Sequence, residues 1–219
     1  LEPWGAQLEL QGFDAIAHEA AAVNEIKRHK RFTVVIGNPP YSGEGMNKGE
    51  WIRSLIETYM YVDGSHLGEK GKKNWLQDDY VKFIRYAQFE LDATGVGILG
   101  FINNHSCLDN PTFRGMRASL MASFPLIHVL NLHGNTGKRE RCPDDSVDEN
   151  VFDIQQGVSI DFFRRAPKPE GSNTVAHANL WGLRGDSSKH TPTGKYGWLT
   201  KQSYTSTDWA SLSPNAPFY

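Results

Sequence analysis

The sequence predicts an α/β fold built on a doubly wound sheet. Two patterns carry this. Apolar, β-branched runs of strand length recur up to residue 164, and helix-spaced segments alternate with them. One run also stops abruptly at Gly37-Asn38-Pro39-Pro40. Strands alternating with helices are the pattern of a sheet wound with helices.

Residues 13–31 open the order as a helix. Ala15, Ile16, Ala20, Ala22, Val23 and Ile26 fall on one face, and Lys27, Arg28, Lys30 and Arg31 suit its C-terminal end. Residues 32–36, Phe-Thr-Val-Val-Ile, form an unbroken apolar run, as expected of a strand covered on both faces. Residues 42–50 are Gly-rich and polar, hence a loop. Helices are expected over 51–61 and 78–92, the second burying Val81, Phe83, Ile84, Ala87, Phe89 and Leu91. A strand over 95–102 runs into Asn103-Asn104-His105. A short helix over 112–123, a strand over 127–132, a polar loop over 134–150 and a strand over 158–164 follow. Residues 1–165 thus make one unit. Residues 166–173 are a linker by composition, with Pro167, Pro169 and Gly171. Residues 174–219, rich in Gly, Ser, Thr and Pro with Trp181, Trp198 and Trp209, read as the start of a second, incomplete unit.

Composition narrows the class. The chain has 219 residues, of which 39% are hydrophobic, 22% charged and 11% aromatic, which excludes disorder throughout. No apolar stretch approaches the ~18 residues of a membrane span. No leader with a cleavage site opens the chain, and Cys107 and Cys142 lie far apart without a CxxC spacing. A cytoplasmic setting is expected and a disulfide scaffold is not. The net charge of −2 provides no global basic field, so any nucleic acid would be held by a local surface.

The segment Asn38-Pro39-Pro40-Tyr41 carries the chemistry. It lies where an open α/β sheet binds ligands, outside the carboxyl end of a strand. Two consecutive prolines fix two φ angles and remove two donors, so nearby carbonyls have no competing N–H groups. The Asn38 side-chain oxygen adds an acceptor. A fixed pair of acceptors under an aromatic ring suits a planar group bearing an NH2. Such an amine is a poor nucleophile because its lone pair is delocalised. Two acceptors gripping its hydrogens favour a more tetrahedral nitrogen and stabilise charge developing there. Tyr41 holds the ring in line by stacking. Neither a metal nor a strong base is required. The bland alternative is a Pro-Pro turn after a strand.

This segment resembles the Asn-Pro-Pro-Tyr motif of S-adenosylmethionine-dependent amino-group methyltransferases that act on adenine in DNA. The resemblance implies that the Asn38 side chain and the Pro39 carbonyl accept from the target amine, and that Tyr41 stacks on a base extruded from the duplex. Pro40 completes the motif, and Asn38 and Pro39 would also border the cofactor. More of the chain is similar to a narrower group, the Type ISP restriction-modification enzymes. The matching stretches are Gly43-Glu44 with Asn47-Lys48-Gly49-Glu50-Trp51, and Asn104-His105 with residues 108–117. Leu132-His133-Gly134-Asn135, residues 148–158 and Trp181-Gly182-Leu183-Arg184-Gly185 also match. The group implies a Rossmann-like S-adenosylmethionine-dependent methyltransferase sheet, here its catalytic half, followed by the start of a target-recognition region. It also implies double-stranded DNA as partner, no membrane, and a longer polypeptide with cofactor half, helicase, nuclease and target-recognition parts. In related adenine enzymes an aromatic residue before the late strand contacts the base, and Phe152 holds that position.

The family places its cofactor half first, with a strand, a Gly-rich turn and an acidic residue. Only residues 1–37 precede the motif here, so the main cofactor site is expected upstream of Leu1. The sheet would then have an open edge. Gly95-Val96-Gly97-Ile98-Leu99-Gly100 fits GxGxxG but follows a helix and enters a strand, the reverse of the dinucleotide fingerprint. His133-Gly134-Asn135-Thr136-Gly137 would be a cofactor turn in a permuted enzyme, but residues 138–149 lack an apolar helical face. Asp144, Asp145, Asp148 and Glu149 read as a solvated acidic loop. The eight histidines show no HxH or HxxxH spacing for a metal. Cys107 and Cys142 read as packing or surface residues. Lys48, Lys70, Lys72 and Lys73, in the loops after the motif, and Arg114, opening a helix, are candidates for DNA phosphate, Lys48 and Arg114 first.

Adenine-N6 methylation of DNA is the leading function. Protein glutamine methylation keeps the chemistry, since a carboxamide also presents an NH2, but those enzymes end soon after the late strand. Cytosine-N4 methylation is closer, though Ser in place of Asn38 is the commoner form there. A non-enzymatic DNA-binding or coupling module is the third alternative.

Overall fold

The computed structural model describes residues 14–41, 45–68, 72–167 and 173–213. Helix α1 (Asp14–His29) precedes strand β1 (Val34–Gly37). Helix α2 (Glu50–Glu57) runs through a single 3-10 turn into a small hairpin of β2 (Tyr61–Val62) and β3 (Ser65–His66). Then come α3 (Asp79–Thr94), β4 (Gly97–Asn104), the one-turn α4 (Ser106–Asp109), α5 (Arg114–Ser123) and β5 (Leu126–His133). The chain continues through β6 (Val158–Arg165), β7 (Thr174–Asn179), α6 (Gly194–Lys201) and β8 (Ala210–Leu212). No helix among the described residues is long and apolar enough to cross a membrane.

Local chemistry sets the boundaries. Helix α3 stops at Gly95, whose φ of +79° is left-handed and whose N–H donates to the Leu91 carbonyl at 2.8 Å. Gly95 is therefore a helix cap, and the GxGxxG match is a cap running into a strand. The Asn110 side chain accepts from the Thr112 N–H at 3.0 Å with Pro111 in the first turn, which launches the segment leading into α5.

The main sheet has six strands in the order β1-β4-β6-β5-β7-β8. β1 pairs with β4, and β5 with β7, in parallel. β6 lies antiparallel between β4 and β5, and β8 is antiparallel to β7. The sheet is thus mixed. The cause is the connection over 134–157, which holds no helix, and a parallel neighbour needs a helical crossover.

Register divides the sheet into two faces. Val35, Leu99, Phe163, Ile127 and Val175 align across five strands and face the buried sides of α3 and α5, with Val81, Ile84, Leu91, Met116 and Leu120. Each large apolar side chain buried there contributes roughly 1.5–3 kcal/mol. On the other face Ile102, Ile160, Leu130 and Ala178 align, and Tyr196, Trp198, Leu199 and Trp209 pack over them. The segment expected to start a second unit therefore supplies a strand to this sheet and a cover for its second face. Tyr204 stacks on His128 of β5 at 5.2 Å, and Trp209 lies against the same ring.

Cover on both faces was the expectation for β1, and the described residues depart from it. Val34 is 56% and Ile36 80% exposed, and Ile98 beside them is half exposed. β1 is an edge strand, with β4 on one side and no other strand described on its other side. In α1 the expected apolar face is open too, with Val23 and Ile26 exposed.

Candidate active site

Asn38-Pro39-Pro40-Tyr41 leaves the carboxyl end of β1, as the sequence predicted. Pro39 is buried and Asn38 and Pro40 are exposed. The Tyr41 hydroxyl oxygen lies 2.7 Å from the Asn38 side-chain oxygen and 2.7 Å from the Ile102 carbonyl of β4. One hydroxyl proton serves one acceptor at a time, so Asn38 and Ile102 compete for it. The ring of Tyr41 meets Tyr80 edge-on at 6.3 Å and packs against both cores. Burial, then Asp161 and Cys107, push the Tyr41 phenol far above its ordinary range, so it remains a neutral donor.

Behind the motif lies a buried polar group. Asn103 donates its side-chain N–H to Asp161 at 2.8 Å. Burial pushes the Asp161 carboxyl up to about 6, against the opposing bond from Asn103. Sequence reasoning did not single out this aspartate, which lies between Ile160 and Phe162 in β6.

Phe152 packs against the second-face core, as does Tyr41. Its loop has no regular secondary structure over 151–156. Four consecutive carbonyls are instead capped by side chains from the segment after β7. Lys195 donates to Glu149 at 2.6 Å, Arg184 Nε to Asn150 at 2.5 Å, Tyr196 to Val151 at 2.6 Å and an Arg184 terminal nitrogen to Phe152 at 3.0 Å. Sequence reasoning missed these three residues. The only signal was the Trp181-Gly182-Leu183-Arg184-Gly185 stretch.

Asp148 is a correction. It was expected in a solvated acidic loop, and its side chain is fully buried. It pairs with Lys195 at 2.8 Å and accepts from the N–H groups of Gly134 and Gly182. The cause is a cation arriving from a segment distant in sequence. Asp144, Asp145 and Glu149 are exposed.

The Gly134 turn is filled in the same way. Gly134 donates to Asp148 at 2.6 Å and Asn135 to Glu140 at 2.9 Å, so carboxylates of the chain occupy the N–H groups that a cofactor turn would offer. Gly134 has a φ of +82°, and a Cβ there would meet the Asn150 Cα at 2.4 Å. Only glycine fits.

His105, His133 and Glu140 converge from separate segments. The sequence spacing of histidines could not show this. His133 Nδ1 lies 2.8 Å from Glu140, and its other nitrogen 2.9 Å from Asn179. His105 meets Asn131 and Asn135. Burial lowers the His105 imidazole. Burial alone would raise the Glu140 carboxyl, but bonds from the Asn135 N–H and His133 bring it below its ordinary range. Each ligand atom already has a hydrogen-bond partner, so the cluster reads as a polar network.

Lys48 is exposed and Arg114 half-buried at the start of α5. Lys70 and the side chains of Lys72 and Lys73 lie outside the described residues, as do Gly43 and Glu44. Cys107 is buried, and burial pushes its thiol up, fitting a packing residue.

The mixed sheet, with one strand reversed in its middle and the motif at a strand's carboxyl end, defines a methyltransferase-like α/β fold. The chain belongs to the Eco57I restriction-modification methylase family, whose family model matches residues 5–137. Among solved structures it is similar to the ATP-dependent Type ISP restriction-modification enzyme LlaBIII bound to DNA. The identity is 27% and the TM-score 0.61, over 76% of this chain and 11% of that one. A nuclease-deletion mutant of the Type ISP restriction-modification enzyme LlaGI, in complex with a DNA substrate mimic, matches at 22% identity and TM-score 0.72, over 93% and 16%. The DrdV–DNA complex matches at 23% and 0.69, over 92% and 19%. The latter two likenesses show the fold alone. The chain spans less than a fifth of each of these chains. No protein of curated function matches it.

Proposed function

We propose that the chain is the catalytic half of a DNA adenine-N6 methyltransferase within a restriction-modification enzyme. The observation that carries this is the placement of Asn38 and Tyr41 at the carboxyl end of β1, within hydrogen-bonding distance of each other. Asn38 and the Pro39 carbonyl would accept the two hydrogens of the amine. Tyr41 would stack on the extruded base, with Phe152 as a second aromatic contact. The residues present also fit S-adenosylmethionine. Asn38 is exposed at the carboxyl end of β1, an edge strand among the described residues, so its polar amide is open to the approach of a methyl donor. When bound, S-adenosylmethionine would supply an electrophilic methyl group and leave as the neutral thioether, while Asn38 and the Pro39 carbonyl would hold the amine as its surplus proton passes to water. The remaining cofactor contacts would come from a preceding half-sheet docked on β1. Lys48 and Arg114 would contact phosphate, and residues beyond β7 would lead into target recognition.

The test is to identify the product. A polypeptide containing these residues is incubated with DNA and methyl-labelled S-adenosylmethionine, and the digest is chromatographed. N6-methyladenine is expected. N4-methylcytosine or methylated glutamine in protein would move the substrate, and no transfer with intact DNA binding would favour a coupling module.

A further inference from the structure

Arg184 lies beyond the linker, yet it binds the loop of Phe152 at four points. Its backbone N–H donates to Glu149, and its guanidinium reaches the Asn150 carbonyl, the Phe152 carbonyl and the Asp153 carboxylate, the last at 2.6 Å. A planar guanidinium holding the Asn150 and Phe152 carbonyls fixes the 150–151 and 152–153 peptide units, on either side of the Val151-Phe152 pair. Tyr196 takes the carbonyl between them. The Asn150 side chain closes the loop from within, accepting from the Phe152 N–H at 2.8 Å and donating to Gly134 and Gln156. Asp153 is 93% exposed, so its ion pair with Arg184 adds little stability. The carbonyl caps are a different matter. They select one backbone conformation in a loop that has no ladder of its own.

Arg184, Phe152 and Asn150 also line one open cleft of about 530 Å³, together with Thr136, Ile154 and Gln155. The arginine thus borders the same cleft as the loop that it holds.

We infer that Arg184 is a positioning residue for base capture, acting through Phe152. This rests on the assignment of Phe152 to the extruded base proposed above. It makes the segment after the linker part of the catalytic apparatus.

The test is a kinetic double-mutant cycle in the full polypeptide that contains these residues. Arg184→Ala, Phe152→Ala and the double variant are compared with the parent at saturating cofactor. Two readouts are taken: kcat for methyl transfer, and fluorescence of 2-aminopurine placed at the target adenine, which brightens on extrusion. Arg184→Ala is expected to lower kcat about 10- to 100-fold, as for a displaced contact to the reacting group, and to dim the fluorescence. The double variant should be no worse than Phe152→Ala alone. Arg184→Lys, which keeps the charge and loses the fork, should fall between. Multiplied effects in the double variant, or parent-level kcat in Arg184→Ala, would overturn the inference. Should Arg184→Ala fail to fold, Tyr196→Phe removes only the Val151 cap and goes through the same cycle. Parent-level kcat and fluorescence in Phe152→Ala would end the role of Phe152, and that of Arg184 with it. Loss of transfer in Asn38→Ala alongside would leave the methyltransferase assignment standing.

Discussion

The Tyr41 hydroxyl oxygen stands 2.7 Å from the side-chain oxygen of Asn38. The acceptor proposed to grip the target amine is thus paired with its own neighbour until an amine arrives. The Ile102 carbonyl, at the same distance, gives the phenol a second place for its proton. Tyr41 can therefore release Asn38 without leaving its hydroxyl unpaired. Tyr41→Phe keeps the ring and frees Asn38, so kcat is expected to stay within about threefold of the parent, the ~0.7 kcal/mol scale of a single weak contact. Tyr41→Ala removes the ring and should lose at least tenfold, the ~1–3 kcal/mol of base–aromatic stacking. Labelled-methyl transfer assays on both variants check this, and equal losses would place the function in the hydroxyl.

The Lys195–Asp148 pair is buried on both sides, and its partners are complete. Removing the cation leaves a charge without compensation. Lys195→Met is expected to destabilise the fold by about 3–5 kcal/mol in urea titration. A cost near zero would mean that the ammonium contributes no net stability.

Asp161 gives a pH dependence. Its folded carboxyl is raised to about 6 from 3.8, so between these values the folded state holds more protons than the unfolded. Stability therefore falls as pH rises from about 4 to 6 and stays low above it. The span corresponds to roughly 3 kcal/mol. Asp161→Asn keeps the Asn103 bond, removes this slope and should raise the melting temperature at pH 8. Chemical denaturation across pH 4–8 measures both, and an unchanged slope would contradict the burial of a titrating group.

Much of the sheet was legible because strand runs and helix spacing are local. Phe32 to Ile36 and Ile127 to Leu132 announce themselves by β-branched content, and both lie in or beside observed strands. The motif was legible because Asn38, Pro39, Pro40 and Tyr41 are contiguous. What escaped came from distance along the chain. Asp148 looks solvated until Lys195 is brought to it across the fold. Residues 174–179 follow a linker-like stretch, and only register reveals Thr174 opposite Leu126 in the same sheet. Histidine spacing could not bring His105 to Glu140, since His105 follows β4 and Glu140 lies in the loop after β5.

Asn38 decides the central claim most directly. Single-turnover transfer of labelled methyl from S-adenosylmethionine to DNA is measured for the parent polypeptide and for Asn38→Ala, with DNA affinity measured beside it. A loss of about 100- to 1000-fold in rate is expected, the scale for removing one preorganised partner of developing charge, with DNA affinity unchanged. Transfer at the parent rate would contradict the role of Asn38 and the active site built around it.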